Sequence, residues 1–379
     1  MHGQSNNAIE RFLRTVEVML DVLKFMDYYQ NCKMELTSIG FRSVIDRYRN
    51  ELALCQFFQI QLIPEPAVTL TVYRRAIEIT EHFYGINPSE ESAAIEEEMG
   101  NEKWVRLLAQ KPPLFAFPDI SFGSQIQHDG IDSFLLFIAK NEDDEQAKLC
   151  LELPLYPETS DDLALVRFWL LQLSRAHFRW MDFGRFFFNP DLISAFLPSP
   201  NGPPSSLRPS SLLFHCHHLS LKMGVPDEQH NERFLRFAFA FPVAHCLTLR
   251  CGLYFEGILE LLLKCGHRIA SVVMPVGPVH STVELQNLLI HHAENALNPL
   301  AMVGLIDFRN VDDFPWPDLR SSKSLGRTVE NDLTHSKYSL SNLHFINVYF
   351  TITIGHLHGS NEFKRFSIQR TVNGPKKAI

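Results

Sequence analysis

Apolar residues recur with helical spacing near the amino terminus and give way to shorter, alternating runs further along the chain. Val18, Val22, Phe25 and Met26 stand at i, i+4, i+7 and i+8, one face of a helix. Met19 and Leu23 widen that face, and Glu17, Asp21 and Lys24 fall mostly opposite it. Asp27-Tyr28-Tyr29 breaks the pattern, and a second helical period runs through Met34, Leu36, Ile39, Phe41, Val44 and Ile45. Gly40 lies inside that period, where glycine costs about 1 kcal/mol relative to alanine. So few short helices cannot bury a core alone; they must pack on a partner or on the rest of the chain.

Beyond Leu54 the pattern is mixed. Val68–Val72 alternates as a strand does, Ala76–Phe83 and Ser92–Gln110 have helical spacing, and Lys111-Pro112-Pro113 is a break. From Leu114 the periods shorten. Phe134–Ala139 and Lys148–Leu153 read as buried strands on either side of the acidic turn Glu142-Asp143-Asp144-Glu145. Asp161–Arg179 reads as a helix, with Asp161 and Asp162 at the end where its dipole favours negative charge. Pro198–Ser211 is a loop rich in proline, serine and glycine. After it Leu219-Ser220-Leu221 recurs as Leu247-Thr248-Leu249 and as Val272-Val273-Met274, with a looser fourth copy at Val303-Gly304-Leu305-Ile306. Tyr254–Lys264 and Thr282–Leu297, between these short runs, are helical in period. His344–Gly355 and Phe363–Val372 alternate strongly around His356–Asn361 and predict a closing hairpin.

These patterns divide the chain into a loose, disordered tail (1–12), a helical module (13–54), a helical connector (55–113) and an α/β domain (114–379) with a loop at 198–211. The fold class they predict is α+β or α/β. A short helical module precedes an irregular, leucine-rich-repeat-like alternation of strands and helices, closed by the C-terminal hairpin. No full Leu-x-x-Leu-x-Leu-x-x-Asn pattern is present, and a single layered α/β sheet produces the same alternation.

Composition narrows the classes. In 379 residues, 45% hydrophobic content and thirty phenylalanines allow a substantial packed interior. The formal charge of −8, with no basic stripe along the sequence, argues against a nucleic-acid-binding protein. The seven cysteines are unevenly spaced with no Cys-x-x-Cys, as expected of free thiols in a reducing, intracellular compartment, cytoplasmic or nuclear. The first residues lack a signal-peptide pattern, and Ile269–Val283 is too short and too proline-interrupted to span a bilayer, so no membrane partner is expected. Glu96-Glu97-Glu98 reads as a solvated helix face, and Lys376-Lys377 as a solvated terminus.

Catalytic signatures are missing: no P-loop, Gly-x-Gly-x-x-Gly, His-Glu-x-x-His or Gly-x-Ser-x-Gly occurs. The densest cluster of reactive types is His215-Cys216-His217-His218. On a strand His215 and His217 would share a face, and His245, Cys246 or Cys251 on a neighbouring strand could complete a metal site. Imidazoles and a thiol packed at the edge of a core account for the same residues and are preferred, so no cofactor or metal is assigned. Phe314-Pro315-Trp316-Pro317 reads either as a proline-flanked aromatic sealing an edge or as an exposed recognition loop, and the first is preferred.

One stretch carries a family resemblance. Glu17-Val18-Met19-Leu20-Asp21-Val22-Leu23-Lys24-Phe25-Met26-Asp27-Tyr28, followed by Leu36-Thr37-Ser38 and Phe41-Arg42-Ser43-Val44-Ile45, resembles an F-box. Arg14 and Thr15 stand where Leu-Pro is usual, and Ile39-Gly40 replaces the usual basic pair. The continuation Tyr48-Arg49-Asn50-Glu51-Leu52-Ala53-Leu54, and the C-terminal strands, are similar to those of nematode F-box-like proteins. The resemblance implies a non-catalytic substrate receptor. Val18, Met19, Val22, Leu23 and Met26 would meet a Skp-type adaptor of a cullin–RING ubiquitin ligase, and the C-terminal domain would bind a protein target by its exposed face. The alternative is a repeat-type interaction scaffold with no ligase connection. An enzyme with an unrecognised site would need a deep polar pocket with convergent titratable groups.

Overall fold

Ser38 divides the second helical period of the sequence into two helices. Its backbone is extended (φ −159°) and its hydroxyl accepts a hydrogen bond from the Phe41 N–H at 3.2 Å, the geometry of an N-cap. The computed structural model describes residues 15–24, 26, 28–48, 52, 55–64, 102–116, 133–139, 148–184, 186–196, 212–223, 228–251, 256–275, 282–310, 319, 322–330, 332–360 and 362–372. Its first elements are α1 (15–24), α2 (Tyr28–Thr37) and α3 (Ile39–Arg47), so Gly40 sits in the first turn of a helix and not in an interior. Leu23, Val44, Ile45 and Leu52 form a small core, with Val16, Met19, Leu20, Met26, Met34, Phe41 and Tyr48 packed against it. This cluster is distinct from the main core.

The connector expected to be helical opens instead with a strand, β1 (Cys55–Pro64), and that strand lies well inside the main sheet. Phe57, Ile60 and Leu62 are buried, and the uneven step from 57 to 60 hides the alternation from a period-two reading. The expected elements at Val68–Val72 and Ala76–Phe83 lie outside the described residues, as do the 198–211 loop and Trp316. Helix α4 (Glu102–Gln110) falls within the expected Ser92–Gln110 and stops at Lys111, whose φ of 44° cannot continue a helix.

There follow β2 (Phe115–Ala116), β3 (Ser133–Ala139), β4 (Lys148–Pro154), α5 (Ser160–Ser174), β5 (Ala176–Gly184), β6 (Phe187–Phe188), α6 (Pro190–Phe196), β7 (Phe214–Met223) and α7 (Glu228–Ala240). The chain continues through β8 (Pro242–Cys251), α8 (Glu256–Lys264), β9 (Ile269–Pro275), α9 (Thr282–Asn295), a 3-10 turn at Pro299–Ala301, β10 (Leu305–Arg309), β11 (Lys323–Glu330), β12 (Leu333–Ser341), β13 (Val348–Leu357) and β14 (Phe363–Val372). The helix expected over Asp161–Arg179 therefore ends five residues early. Its start is a capping box: the Thr159 hydroxyl accepts from the Asp162 N–H at 3.1 Å, and Asp162 accepts from the Thr159 N–H at 2.9 Å.

Twelve strands form one mixed sheet in the order β11-β12-β13-β14-β10-β9-β8-β7-β5-β1-β3-β4. The central strands β1, β5, β7, β8, β9 and β10 are parallel, and the outer pairs are antiparallel. From β5 to β10 the order advances in one direction, with a helix in every connection. Because such crossovers are almost always right-handed, that order stacks the helices on one face. The strands' inward side chains share a single core with Phe234, Phe237, Leu261, Leu262 and Leu289 of those helices. Phenylalanine fills it: Phe115, Phe134, Phe187, Phe188, Phe214 and Phe237 are among its fully buried side chains.

The repeated triplets of the sequence meet across the sheet, Leu219 opposite Leu247 and Leu247 opposite Val272. The fourth in-register copy is Ile306-Asp307-Phe308, two to three residues later than the expected one. On β5 Met181 and Asp182 stand opposite Leu219 and Ser220, and a register shift then brings Gly184 opposite Leu221. The closing hairpin begins at Val348, not at His344, and β11 and β12 extend it beyond what the alternation predicted.

Candidate functional site

The face of the parallel sheet opposite the crossover helices carries a close group of titratable and aromatic side chains. Its origin is a step shared by five strands. Phe57, Phe178, Cys216, Ala244 and Ile269 are buried neighbours in register, and so are Ile60, Met181, Leu219, Leu247 and Val272. Strict alternation would place one residue between these buried rows. Each strand places two. The first of each pair, Phe58, Arg179, His217, His245 and Ala270, has no ladder partner, and the second, Gln59, Trp180, His218, Cys246 and Ser271, resumes the register. None of the ten is buried.

The rings on this step stand against one another. Trp180 stacks on His218 with centroids 4.2 Å apart and planes within 13°. His217 stacks on His245 at 4.7 Å and lies 4.5 Å from His218, and the Arg179 guanidinium sits 5.7 Å from the Phe58 ring centre. The Ser271 hydroxyl donates to the His245 carbonyl at 2.8 Å, a partner for backbone the double step takes out of the ladder. In the preceding outward row His177 neighbours His215. Burial lowers the pKa values of His177, His215 and His218, and nearby histidines lower them further, with Arg179 adding to the effect at His218. Beneath them the buried Cys216 thiol is pushed up to about 12, chiefly by desolvation, so it stays protonated.

Towards the carboxyl ends of the strands the outward positions become cationic. Lys222 is level with Arg250 on the next strand, and Arg309 is level with Arg365. Asp307, 1% exposed, accepts from Arg365 Nε at 2.7 Å and Nη2 at 3.1 Å, and from Arg309 Nε at 2.9 Å. The carboxylate thus fixes both guanidiniums in place.

No group of three or more His, Cys, Asp or Glu side chains among the described residues is arranged to hold a metal ion. His215 does lie on a strand beside the one bearing His245, but the double step turns His217 and His218 into ring stacks. Cys216, Cys246 and Cys265 are free thiols. No helix among the described residues is long and apolar enough to cross a membrane.

The amino-terminal residues singled out from the sequence fall on two sides of α1. Leu23 is 0% exposed, and Met19 and Met26 pack against the small core around it. Val18 and Val22, 62% and 43% exposed, face outward together. The inner stripe is Val16, Met19, Leu20 and Leu23, which also has i, i+3, i+4, i+7 spacing, so helical periodicity alone could not choose between the two faces. Ile39, 88% exposed at the start of α3, is a further bare apolar residue of this module.

Residues 88–238 match a family model described as a domain of unknown function, DUF8381. The match runs from before α4 into α7 and covers less than half of the chain. No curated protein and no solved structure matches the chain.

Proposed function

We propose that this protein is a non-catalytic receptor. Its amino-terminal helices dock an adaptor of the Skp type in a cullin–RING ubiquitin ligase, and the open face of its leucine-rich-repeat-like sheet holds a protein target. The observation that supports docking is the pair Val18 and Val22, exposed at i, i+4 on a helix whose opposite side already closes a small core. Burying such side chains in an interface is worth about 1.5–3 kcal/mol each. The contact residues are then Val18 and Val22, with Met19 and Met26 at the margin, while Leu23 acts from inside by holding the helix in place. Tethering would supply the rest, since a bound target is presented at high effective concentration to an enzyme elsewhere in the assembly.

The open face supports the second half of the reading. Strands that advance one by one present a broad surface of polar and aromatic side chains in register, on the side of the sheet away from the crossover helices α6 to α9. The test is co-purification of the chain with a Skp-type adaptor. The unmodified chain captures the adaptor, and Val18→Asp with Val22→Asp abolishes capture while leaving the sheet folded. Absence of capture by the unmodified chain would leave a scaffold with no ligase connection.

A further inference from the structure

Charge is segregated between the two layers of this protein. Strands β5, β7, β8, β9, β10 and β14 contain two acidic residues, Asp182 and Asp307. Both are engaged within the chain: Asp182 accepts from the Gly184 N–H at 3.1 Å, and Asp307 holds Arg309 and Arg365. Helices α5 to α9 contain nine acidic residues, among them Asp161, Asp191, Glu232, Glu260 and Glu294, against four Lys and Arg. In a chain of net charge −8, the open sheet face is therefore a cationic surface backed by an acidic one.

The cations of that face are ordered. Lys222 and Arg250 are paired in register on β7 and β8, and Arg309 and Arg365 on β10 and β14. Lys222, Arg250 and Arg309 are exposed, and neither Lys222 nor Arg250 has an ion pair among the described residues. Strands lie about 4.8 Å apart, so the row from β7 to β14 is about 19 Å long, the reach of about six extended residues. The neighbouring rings use their faces to stack on each other, Trp180 on His218 and His217 on His245. These rings lie four residues back along β7 from Lys222, so the outward positions next to the cationic row are Ser220 and Thr248, not aromatic faces on which bases could stack.

We infer that this face binds an extended acidic segment of a partner protein, whose carboxylates run across the strands along Lys222, Arg250, Arg309 and Arg365. The inference rests on the receptor reading for its biological setting but concerns only the sheet. It is tested on the purified full-length chain without adaptor, so it stands or falls separately from adaptor capture.

The probe is a fluorescein-labelled twelve-residue peptide alternating glutamate and serine, followed by anisotropy at low salt. The glutamate peptide binds, its glutamine counterpart binds at least tenfold more weakly, and raising the salt weakens binding. Lys222→Glu with Arg250→Glu lowers the affinity at least tenfold, whereas Lys264→Glu on α8 leaves it unchanged. Should the charge reversal disturb folding by circular dichroism, Lys222→Gln with Arg250→Gln serves in its place and weakens binding at least threefold. Three results would each overturn the inference. These are no binding of the glutamate peptide, equal loss with Lys264→Glu, or tighter binding of a twelve-nucleotide oligouridylate through the same two residues.

Discussion

Leu23→Ala separates a residue that builds the amino-terminal module from those that would meet a partner. Leu23 is 0% exposed and belongs to a core whose other fully enclosed members are Val44, Ile45 and Leu52. Truncating a buried leucine to alanine costs about 2–5 kcal/mol, depending on how far the site can collapse. Met19, Met26 and Met34 line this cluster, and flexible thioether chains relax into small voids, so the lower half of that range applies, about 2–3 kcal/mol. Hydrogen exchange read by mass spectrometry tests this locally. Amides of α1 and α3 should lose protection by roughly thirty- to a hundred-and-fiftyfold, the factor that free energy corresponds to. Amides of β7, β8 and β9 should keep theirs, because their side chains belong to the other core. Unchanged protection in α1 and α3 would refute the enclosure of Leu23. An equal loss in the central strands would refute the separation of the two cores. Val18→Asp with Val22→Asp should leave both sets of amides as they were.

Three further outcomes follow from the packing. Gly266→Ala puts a Cβ 2.0 Å from the Met302 carbonyl oxygen, where Gly266 N–H donates to Ala301 at 2.7 Å; forcing backbone apart there should cost about 3 kcal/mol, read as a lower urea midpoint. Asn342 is buried, donates to the Ala293 and Ala296 carbonyls and accepts from the His344 and Phe345 N–H groups, so Asn342→Ala should lose about 2–4 kcal/mol by the same measurement. His177, His215 and His218 have folded pKa values below the unfolded value near 6.5, so the unfolded chain binds more protons; stability is full above that value and falls as pH drops through it, which urea titrations at pH 7.5 and 5 would detect.

Much of the layered fold was legible in the sequence, and the misses share a physical cause. The triplets at Leu219, Leu247 and Val272 are strict alternations and became β7, β8 and β9. β1 and β5 bury the same pattern as those three strands, Phe57, Ile60, Leu62 and Phe178, Met181, Phe183, but an outward aromatic masks it in each: Phe58 stands beside Phe57, and Trp180 beside Met181. β1 was therefore absorbed into a helical connector, and β5, separated from α5 by Arg175 alone, into the tail of that helix. The amino-terminal face was half legible for a related reason. Apolar residues occupy both sides of α1, and only tertiary packing decides that Leu23 goes in and Val18 stays out. The cationic row was invisible, since Lys222, Arg250, Arg309 and Arg365 are scattered over more than a hundred residues and become neighbours only through strand order.

The aligned double step also explains why the open face is built as it is. An extra residue in one strand alone would be a bulge, bending that strand and breaking its register with both neighbours. Here Phe58, Arg179, His217, His245 and Ala270 are inserted at the same level in five adjacent strands, so the register is the same before and after it. The sheet keeps its inward rows intact while each strand turns two successive side chains outward. Ordinary alternation would offer a single outward position at that level, too few to stack Trp180 on His218 and His217 on His245 side by side. The core gains nothing from the insertion, because none of the ten residues of the double step is buried. A feature that adds no buried apolar area, yet is matched across five strands, has its consequence on the surface it widens. It makes this face the part of the sheet where substitution should alter binding before it alters stability.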